Sequence, residues 1–426
     1  MLEVTSVSTR RKRYLLGLLT VIMVFNYVDR IALGLLLQSI KVDLELSDTQ
    51  LGFLSGIAFA LFYACMGIPI ARWADRGDRV TIISWTVALW SIAVALCGSA
   101  RSFVSLLAIR ACVAIGEAGC HPPALSLIAD YFSRAERPRA VSRYMLGYPI
   151  ALLVGYFSAG WLNEIYGWRA TFLILGAPGV ALAALAWLTL DEPRRDTRSK
   201  LSEAIHANQG QADIWVVLRT LWDNSAYRHL LLCFSLSYFF SHGILQWQPA
   251  FFIRSHGMTT GELGTWFAAV HGAGGLIGTF IGGELASRYA ANNERLQLKM
   301  IGCLYAMLAI IKAAVYVSDS HYTALGTLAL AAAASAAVNG PLFAATQTIV
   351  PPDMRAMSIA VILFCSHLRG MGLGPLAAGG LSDVLSPFFG EESLRYALMV
   401  LCPGYIWCTW HLWKASRALE YGATDI

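Results

Sequence analysis

The sequence predicts an all-α polytopic membrane protein: twelve transmembrane helices in two six-helix bundles, N-in/C-in. Three observations predict it. The 426-residue chain is 57% hydrophobic and only 14% charged, with a mean hydropathy of +0.55, whereas soluble domains run at about 25% charged. Its apolar residues fall into blocks of about 20, the length that spans a bilayer as a helix. Six such blocks precede a polar stretch, "DEPRRDTRSKLSEAIHANQGQAD" (Asp191 to Asp213), and six follow it. That split suggests two related halves.

In chain order the blocks run 14–38, 49–71, 80–99, 103–128, 140–162, 168–190, 227–252, 262–288, 297–317, 322–349, 356–382 and 393–413, called spans 1 to 12 below. The opening "STRRKRYLL" carries the arginines of an export signal, but its apolar region is too long and no small-residue cleavage site follows. Span 1 is therefore read as uncleaved. The expected domains are an N-terminal bundle over 1–192, a cytoplasmic linker over 193–226 and a C-terminal bundle over 227–426. Within the linker, "IWVVLRTLW" (Ile214 to Trp222) is amphipathic and should lie along the membrane surface. The other loops are short and leave no room for a soluble catalytic domain.

Charge sets the orientation. With the N-terminus inside, cytoplasmic segments hold 23 of the 32 Lys and Arg, and external segments hold five: Lys41, Arg101, Arg169, Arg254 and Arg395. That asymmetry places both termini in the cytoplasm. The net charge of +5 is thus topological and gives no reason for a nucleic-acid partner. All nine cysteines are isolated, without CxxC spacing, so neither a disulfide framework nor a metal site is indicated. No GxxxxGK phosphate loop occurs, so ATP is not the expected energy source. No His-rich or Ser/His/Asp cluster gathers at one membrane face, so an enzyme is not expected, and no cofactor is implied.

A faint internal repeat supports duplication. "GIPIARWADRGDR" follows span 2, and "IGGELASRYA" ends span 8, with Ser287 where the first copy has Asp75. "ARWADRGDR" resembles the Gly-x-x-x-Asp-Arg-x-x-Arg loop of the major facilitator superfamily. More narrowly, several stretches look like a bacterial member of the spinster family, transporters of lysolipids and sphingosine phosphate. They are "NYVDR" in span 1, "RACVAIGEA" in span 4, "WRATFLILGAPG" opening span 6, "EPRR" closing it, and "VPPDMRA" with "HLRGMGLGPLAAGGLSD" in span 11. The resemblance covers nearly the whole chain. It implies the major facilitator fold and an amphiphilic substrate; the expectation is a monomeric, multi-pass protein of the cell (inner) membrane, with an anionic lipid-like or small-molecule substrate and protons as partners. Arg369 departs from it, since spinster proteins usually carry an apolar residue there.

"NYVDR" puts an acid and a base side by side inside an apolar span. Relative to Asn26 on a helix, Arg30 lies at about 40°, Asp29 at about −60° and Leu33 at about −20°, so all share one face. A charge at mid-membrane costs at least ~2.5–3.5 kcal/mol, so that face should look into the bundle or a wet cavity. Neighbours in sequence do not face each other on a helix. Asp29 and Arg30 therefore need partners from elsewhere, and span 4 offers Arg110 and Glu117, seven residues apart and nearly aligned. By analogy with facilitator folds, in which spans 1 and 4 border the central cavity, cross-pairing of Asp29 with Arg110 and of Arg30 with Glu117 is expected. A carboxylate there can be neutralised by a proton, and two acids with two arginines can exchange partners. Asp29 and Glu117 are the candidate proton-coupling residues, and Asn26, Arg30 and Arg110 candidate substrate contacts. His121 is a further proton-pathway candidate, beside Pro122 and Pro123, which should kink that helix.

In the second half, His367 and Arg369 on span 11 are candidate substrate contacts, with Arg369 expected to face the cavity as an anion site. Lys312, near the outer end of span 9, is expected to snorkel. The superfamily resemblance makes Asp75, Arg76 and Arg79 a cytoplasmic gate latch, with Asp75 meeting the positive N-terminus of span 11 near Arg355. The Gly- and Pro-containing "GYPIALLVGYFSAG" (Gly147 to Gly160) permits close helix approach on span 5. The expected function is secondary transport of an anionic amphiphile, a lysophospholipid or sphingosine-phosphate-like lipid, by proton-coupled alternating access. The alternatives are a proton-coupled carrier of a small organic anion such as a sugar acid and, less favoured, a membrane receptor without transport.

Overall fold

The structure, a computed structural model, describes residues 8–133, 136–193, 214–290, 293–350 and 354–421; of Ile68, Ala71, Asp75, Arg76, Pro138, 214–218, Ala290, Ala356, Glu420 and Tyr421 it describes the backbone alone. Among these residues there are helices and turns but no strand. Nine stretches are helical, long and apolar enough to cross a membrane. Two of them, Arg139–Thr189 with 51 residues and Met357–Leu419 with 63, are long enough for two crossings each. The 31-residue helix Thr260–Ala290 completes the twelve. Large apolar side chains point outward along these helices, among them Leu188, Phe280 and Phe388, at 83%, 74% and 79% exposure. Lipid tolerates such a surface and water does not.

The chain divides into two compact units, Met1–Ser39 with Leu61–Gly210, and Ile40–Ala60 with Gln211–Ile426. One piece departs from the division expected by chain order: residues 40–60, from the first half of the sequence, group with the second unit.

In the first unit, span 1 belongs to a continuous 36-residue helix, Thr9–Leu44. Span 2 lies on Ile57–Arg76 and span 3 on Arg79–Cys97, whose first turn is capped by the Asp78 carboxylate accepting from Thr81 N at 2.9 Å. Spans 5 and 6 share Gly147–Thr189, which breaks at Gly167. Gly167 has φ 77°, a conformation that disfavours any side chain. The glycines of span 5 do allow close approach: a Cβ on Gly155 would lie 3.3 Å from Ile31 on span 1. On span 6, a Cβ on Gly176 would fall 2.5 Å from the backbone of Ala95, so spans 3 and 6 touch main chain to main chain. The expected kink in span 4 is a full break. Helix Phe103–Ala118 ends at Gly119, and His121–Tyr131 starts afresh with proline in its first turn, where the missing N–H does no harm.

In the second unit, spans 7 to 10 are single helices, Ser225–His256, Thr260–Ala290, Glu294–Val317 and His321–Ile349. Span 11 is interrupted. Helix Arg355–Cys365 passes through a π-helical turn, Ser366–Met371, into Gly372–Phe389. Span 12 comprises Ser393–Leu401 and Gly404–Tyr421. The amphipathic linker segment is helical over Ile214–Asp223, with Leu221 buried and Trp222 exposed. Lys312 does not snorkel. It is only 6% exposed, and its ammonium donates to the Tyr405 hydroxyl at 2.7 Å. A phenol within reach on span 12 removes the need to stretch toward water.

Candidate functional site

The face of span 1 that carries "NYVDR" is buried. Asn26 is 7% exposed and Asp29 2%, and on span 4 Arg110 is 2% and Glu117 1% exposed. Both expected cross-pairs are present. Arg110 Nη1 donates to Asp29 Oδ2 at 3.2 Å, and Arg30 grips Glu117 Oε2 through Nε and Nη2. The helix period explains the arrangement. Asp29 and Arg30 diverge by about 100°, so each reaches a different rung of span 4, where Arg110 and Glu117 are two turns apart.

Aromatic rings complete the surroundings of Arg30. Its guanidinium carbon lies 5.1 Å from the centre of the Tyr27 ring and 5.0 Å from that of Tyr63, on span 2. Tyr27 is braced edge-on by Tyr148 at 5.0 Å. A cation held between ring faces keeps its charge with little water. The buried polar atoms without a hydrogen-bond partner include Asn26 Nδ2, Asp29 Oδ1 and Glu117 Oε1 of this cluster. The two carboxyls lie close enough to act on one another electrostatically. A buried network left partly unserved is costly. Chemically, this one combines open donor and acceptor atoms with two arginines.

At the start of the helix that follows the span 4 break, His121 Nδ1 meets the Tyr144 hydroxyl at 3.1 Å, with the rings stacked at 5.5 Å. In the second unit, His367 and Arg369 sit in the π-helical turn of span 11. His367 Nδ1 lies 2.6 Å from Leu363 O, and its ring is 5.5 Å from that of Tyr238. Arg369 is exposed and makes no ion pair with a described carboxylate. Single π-turns inside α-helices recur at functional sites.

The cytoplasmic loop motif is only partly described. The side chains of Asp75 and Arg76 lie outside the described residues, and Arg355 is exposed at the start of span 11. Arg79 is fully buried. It pairs with Glu192, donates to Ser126 Oγ at 2.9 Å and meets Asp130 at 2.7 Å. The arginine that ends the "DRGDR" loop and the glutamate of "EPRR" are thus partners across 113 residues. This position anchors Arg79 within its own unit. Arg79→Ala should destabilise the first unit by about 3–5 kcal/mol, because it strands two acids around a buried vacancy. Thermal unfolding of the purified protein checks this, and an unchanged midpoint would deny the anchor.

Sequence reasoning missed Tyr27 and Tyr63 as the walls around Arg30, and Tyr144 as the partner of His121. Tyr27 lies inside "NYVDR" itself. Its position one helical turn before Arg30 was the available signal.

Twelve helices in two units, with a charged cluster buried on spans 1 and 4, describe a membrane carrier. The model of the Major Facilitator Superfamily matches residues 19–375, and the chain belongs to that superfamily. It is a transporter, not an enzyme. More particularly, it is of the spinster type. The crystal structure of a bacterial homologue of the human lysosomal transporter Spinster, inward-facing and unoccupied, superposes with a TM-score of 0.86 at 30% identity, covering 97% of this chain and 99% of that one. An "MFS-type efflux pump" of Mycolicibacterium smegmatis is 33% identical over 92% of this chain and 89% of its own. A "probable galactarate/D-glucarate transporter" of Bacillus subtilis is 26% identical over 63% of each chain.

Proposed function

We propose that this transporter carries an anionic amphiphile, a lysophospholipid or sphingosine-phosphate-like lipid, by proton-coupled alternating access. It does so as a monomer in the cell (inner) membrane, with both termini and the arginine-rich loops on the cytoplasmic side. The similarity to a relative named as an efflux pump supports export.

One observation carries this reading: a mid-span cluster of two carboxyls and two arginines that is incompletely satisfied within itself. A proton on either carboxyl would act as the missing donor between Asp29 and Glu117, since two acids within reach of each other can share one proton. That proton also weakens the grip of Glu117 on Arg30. The released guanidinium, still between Tyr27 and Tyr63, can then take a phosphate oxygen in the bidentate manner that suits arginine. The rings offer apolar faces to the adjoining chain of an amphiphile. The proton takes Glu117 and the anion takes Arg30, so each favours the binding of the other, which is the arrangement coupled movement of the two requires. Arg369 serves as a second cation, on the second unit.

The match to the Bacillus subtilis relative favours a second reading, a proton-coupled carrier of a sugar acid. Ligand-induced thermal stabilisation over a panel of lysolipids and sugar acids separates the two. We expect the dominant response from an anionic lysolipid, with affinity about tenfold weaker in Arg369→Leu, equivalent to ~1.4 kcal/mol. A response confined to sugar acids would select the second reading, and full affinity in Arg369→Leu would remove Arg369 from the site.

A further inference from the structure

Span 4 breaks between Glu117 and the nearest histidine along the chain. Helix Phe103–Ala118 carries Glu117 in its last turn, and His121–Tyr131 begins three residues after it stops. Across the break the main chain tightens: Gly119 N donates to Gly116 O at 3.1 Å, and Cys120 N to Glu117 O at 3.3 Å. In a continuous helix the carbonyls of Ala118 and Gly119 would accept from residues 122 and 123. Both are proline here and have no N–H to give. Those two carbonyls are therefore suited to hold water between Glu117 and His121.

On the far side of the break, His121 is half-buried and Tyr144, on span 5, is 1% exposed. Their rings are 24° from parallel, and the Tyr144 hydroxyl sits on Nδ1. Stacking and hydrogen bond together fix the imidazole in one orientation. That leaves Nε2 as the nitrogen able to take and release a proton.

The charged cluster adjoins this pair. Arg30, on span 1, lies close enough to act electrostatically on His121. Glu117 and Arg30 both act on Cys120, the neighbour of His121 in the chain. Cys120, Tyr27 and Tyr63 act in the same way on Tyr144. The two rings that flank Arg30 thus border the tyrosine that holds His121.

We propose that His121 is the proton shuttle between the cytoplasmic side and Glu117, with Tyr144 as its positioning residue. This rests on the proton-coupled reading above and on its orientation, in which span 4 runs inward from Phe103 to Tyr131. Neutral His121 donates its Nδ1–H to the Tyr144 oxygen and takes a proton from water on Nε2. The imidazolium keeps the same bond to Tyr144. It then releases the Nε2 proton, through water held at the break, to the Glu117 carboxylate and is neutral again. The reverse order empties Glu117. A continuous helix would use up the Ala118 and Gly119 carbonyls in its own hydrogen bonds, so the break is part of the path.

Time-resolved infrared spectroscopy in lipid nanodiscs without substrate tests this. A rapid drop in pH should raise the C=O band of a protonated carboxyl, assigned to Glu117 by its loss in Glu117→Gln. His121→Ala should slow that band about tenfold or more, short of the ~100-fold that a positioned proton-transfer group can supply, because water replaces part of the path. Added imidazole should restore the rate, which a loss of packing alone would not allow. Tyr144→Phe keeps the stacked ring without the hydroxyl and should slow the band less than His121→Ala does. Wild-type rates in both variants, or slowing in His121→Ala that imidazole leaves unchanged, would overturn the shuttle. Should His121→Ala fail to fold, His121→Asn and Tyr144→Phe carry the test on the same rate criterion. If wild type shows no band that Glu117→Gln removes, the proton-coupled reading itself falls, and the shuttle with it.

Discussion

Arg30→Ala should cut transport by about a hundredfold or more in protein that still inserts and folds. Arg30 is seated between two aromatic rings, and its partner Glu117 is 1% exposed. Stripping one member from a buried pair typically costs about 3–5 kcal/mol, and each 1.36 kcal/mol in a barrier is about tenfold in rate. Part of that cost vanishes if Glu117 takes up a proton, so insertion is spared while binding is lost. Arg30→Lys should fall between, since lysine keeps the charge but neither the planar fork nor the stacking. Flux of a labelled anionic lysolipid in reconstituted vesicles, normalised to inserted protein, reads the effect. Wild-type flux in Arg30→Ala would mean that the cluster only holds spans 1 and 4 together.

The second large effect concerns coupling. Asp29→Asn and Glu117→Gln keep size and hydrogen-bonding capacity but cannot release a proton. Each amide can also donate to the remaining carboxyl, fixing the arrangement that protonation gives only transiently. Transport driven by a pH gradient should be lost in Glu117→Gln, by about tenfold or more on the same rate scale, because Arg30 can no longer be recaptured by a charge. Exchange of substrate for substrate should survive, since it needs no net proton movement. Asp29→Asn should show the same pattern more weakly, as Arg110 rather than Arg30 loses its partner. Gradient dependence that persists in both variants would make the network structural.

Much of this was legible from helix geometry. The 100° step of a helix shows that Asp29 and Arg30 need partners from elsewhere, and the resemblance to facilitator folds, which places spans 1 and 4 side by side, leads to the two ion pairs. The same reasoning failed for Lys312, whose distance to the membrane edge suggested snorkelling while Tyr405, 93 residues on, supplies an internal acceptor. Long-range partners of this kind leave no local periodic trace. Glu192 and Arg79 were each visible as motif residues, yet nothing in either stretch says that they meet. Nothing in the stretches around Asp48 and Asp383 says that they meet, although the Asp383 carboxylate accepts from the backbone N–H groups of Asp48 and Thr49. Aromatic walls such as Tyr63 are hidden for another reason: every span has tyrosines or phenylalanines at hand, so none stands out.

The central claim is that protonation and anionic-substrate binding are coupled at the Asp29–Arg30–Arg110–Glu117 cluster. Its most direct test is to trap a pH-sensitive dye inside vesicles bearing the purified transporter and add an anionic lysolipid with no imposed gradient. The account predicts a substrate-dependent change in internal pH with wild type and none with Glu117→Gln, although Glu117→Gln still exchanges labelled substrate. Substrate flux through wild type with no accompanying pH change, or an undiminished pH change in Glu117→Gln, would contradict it.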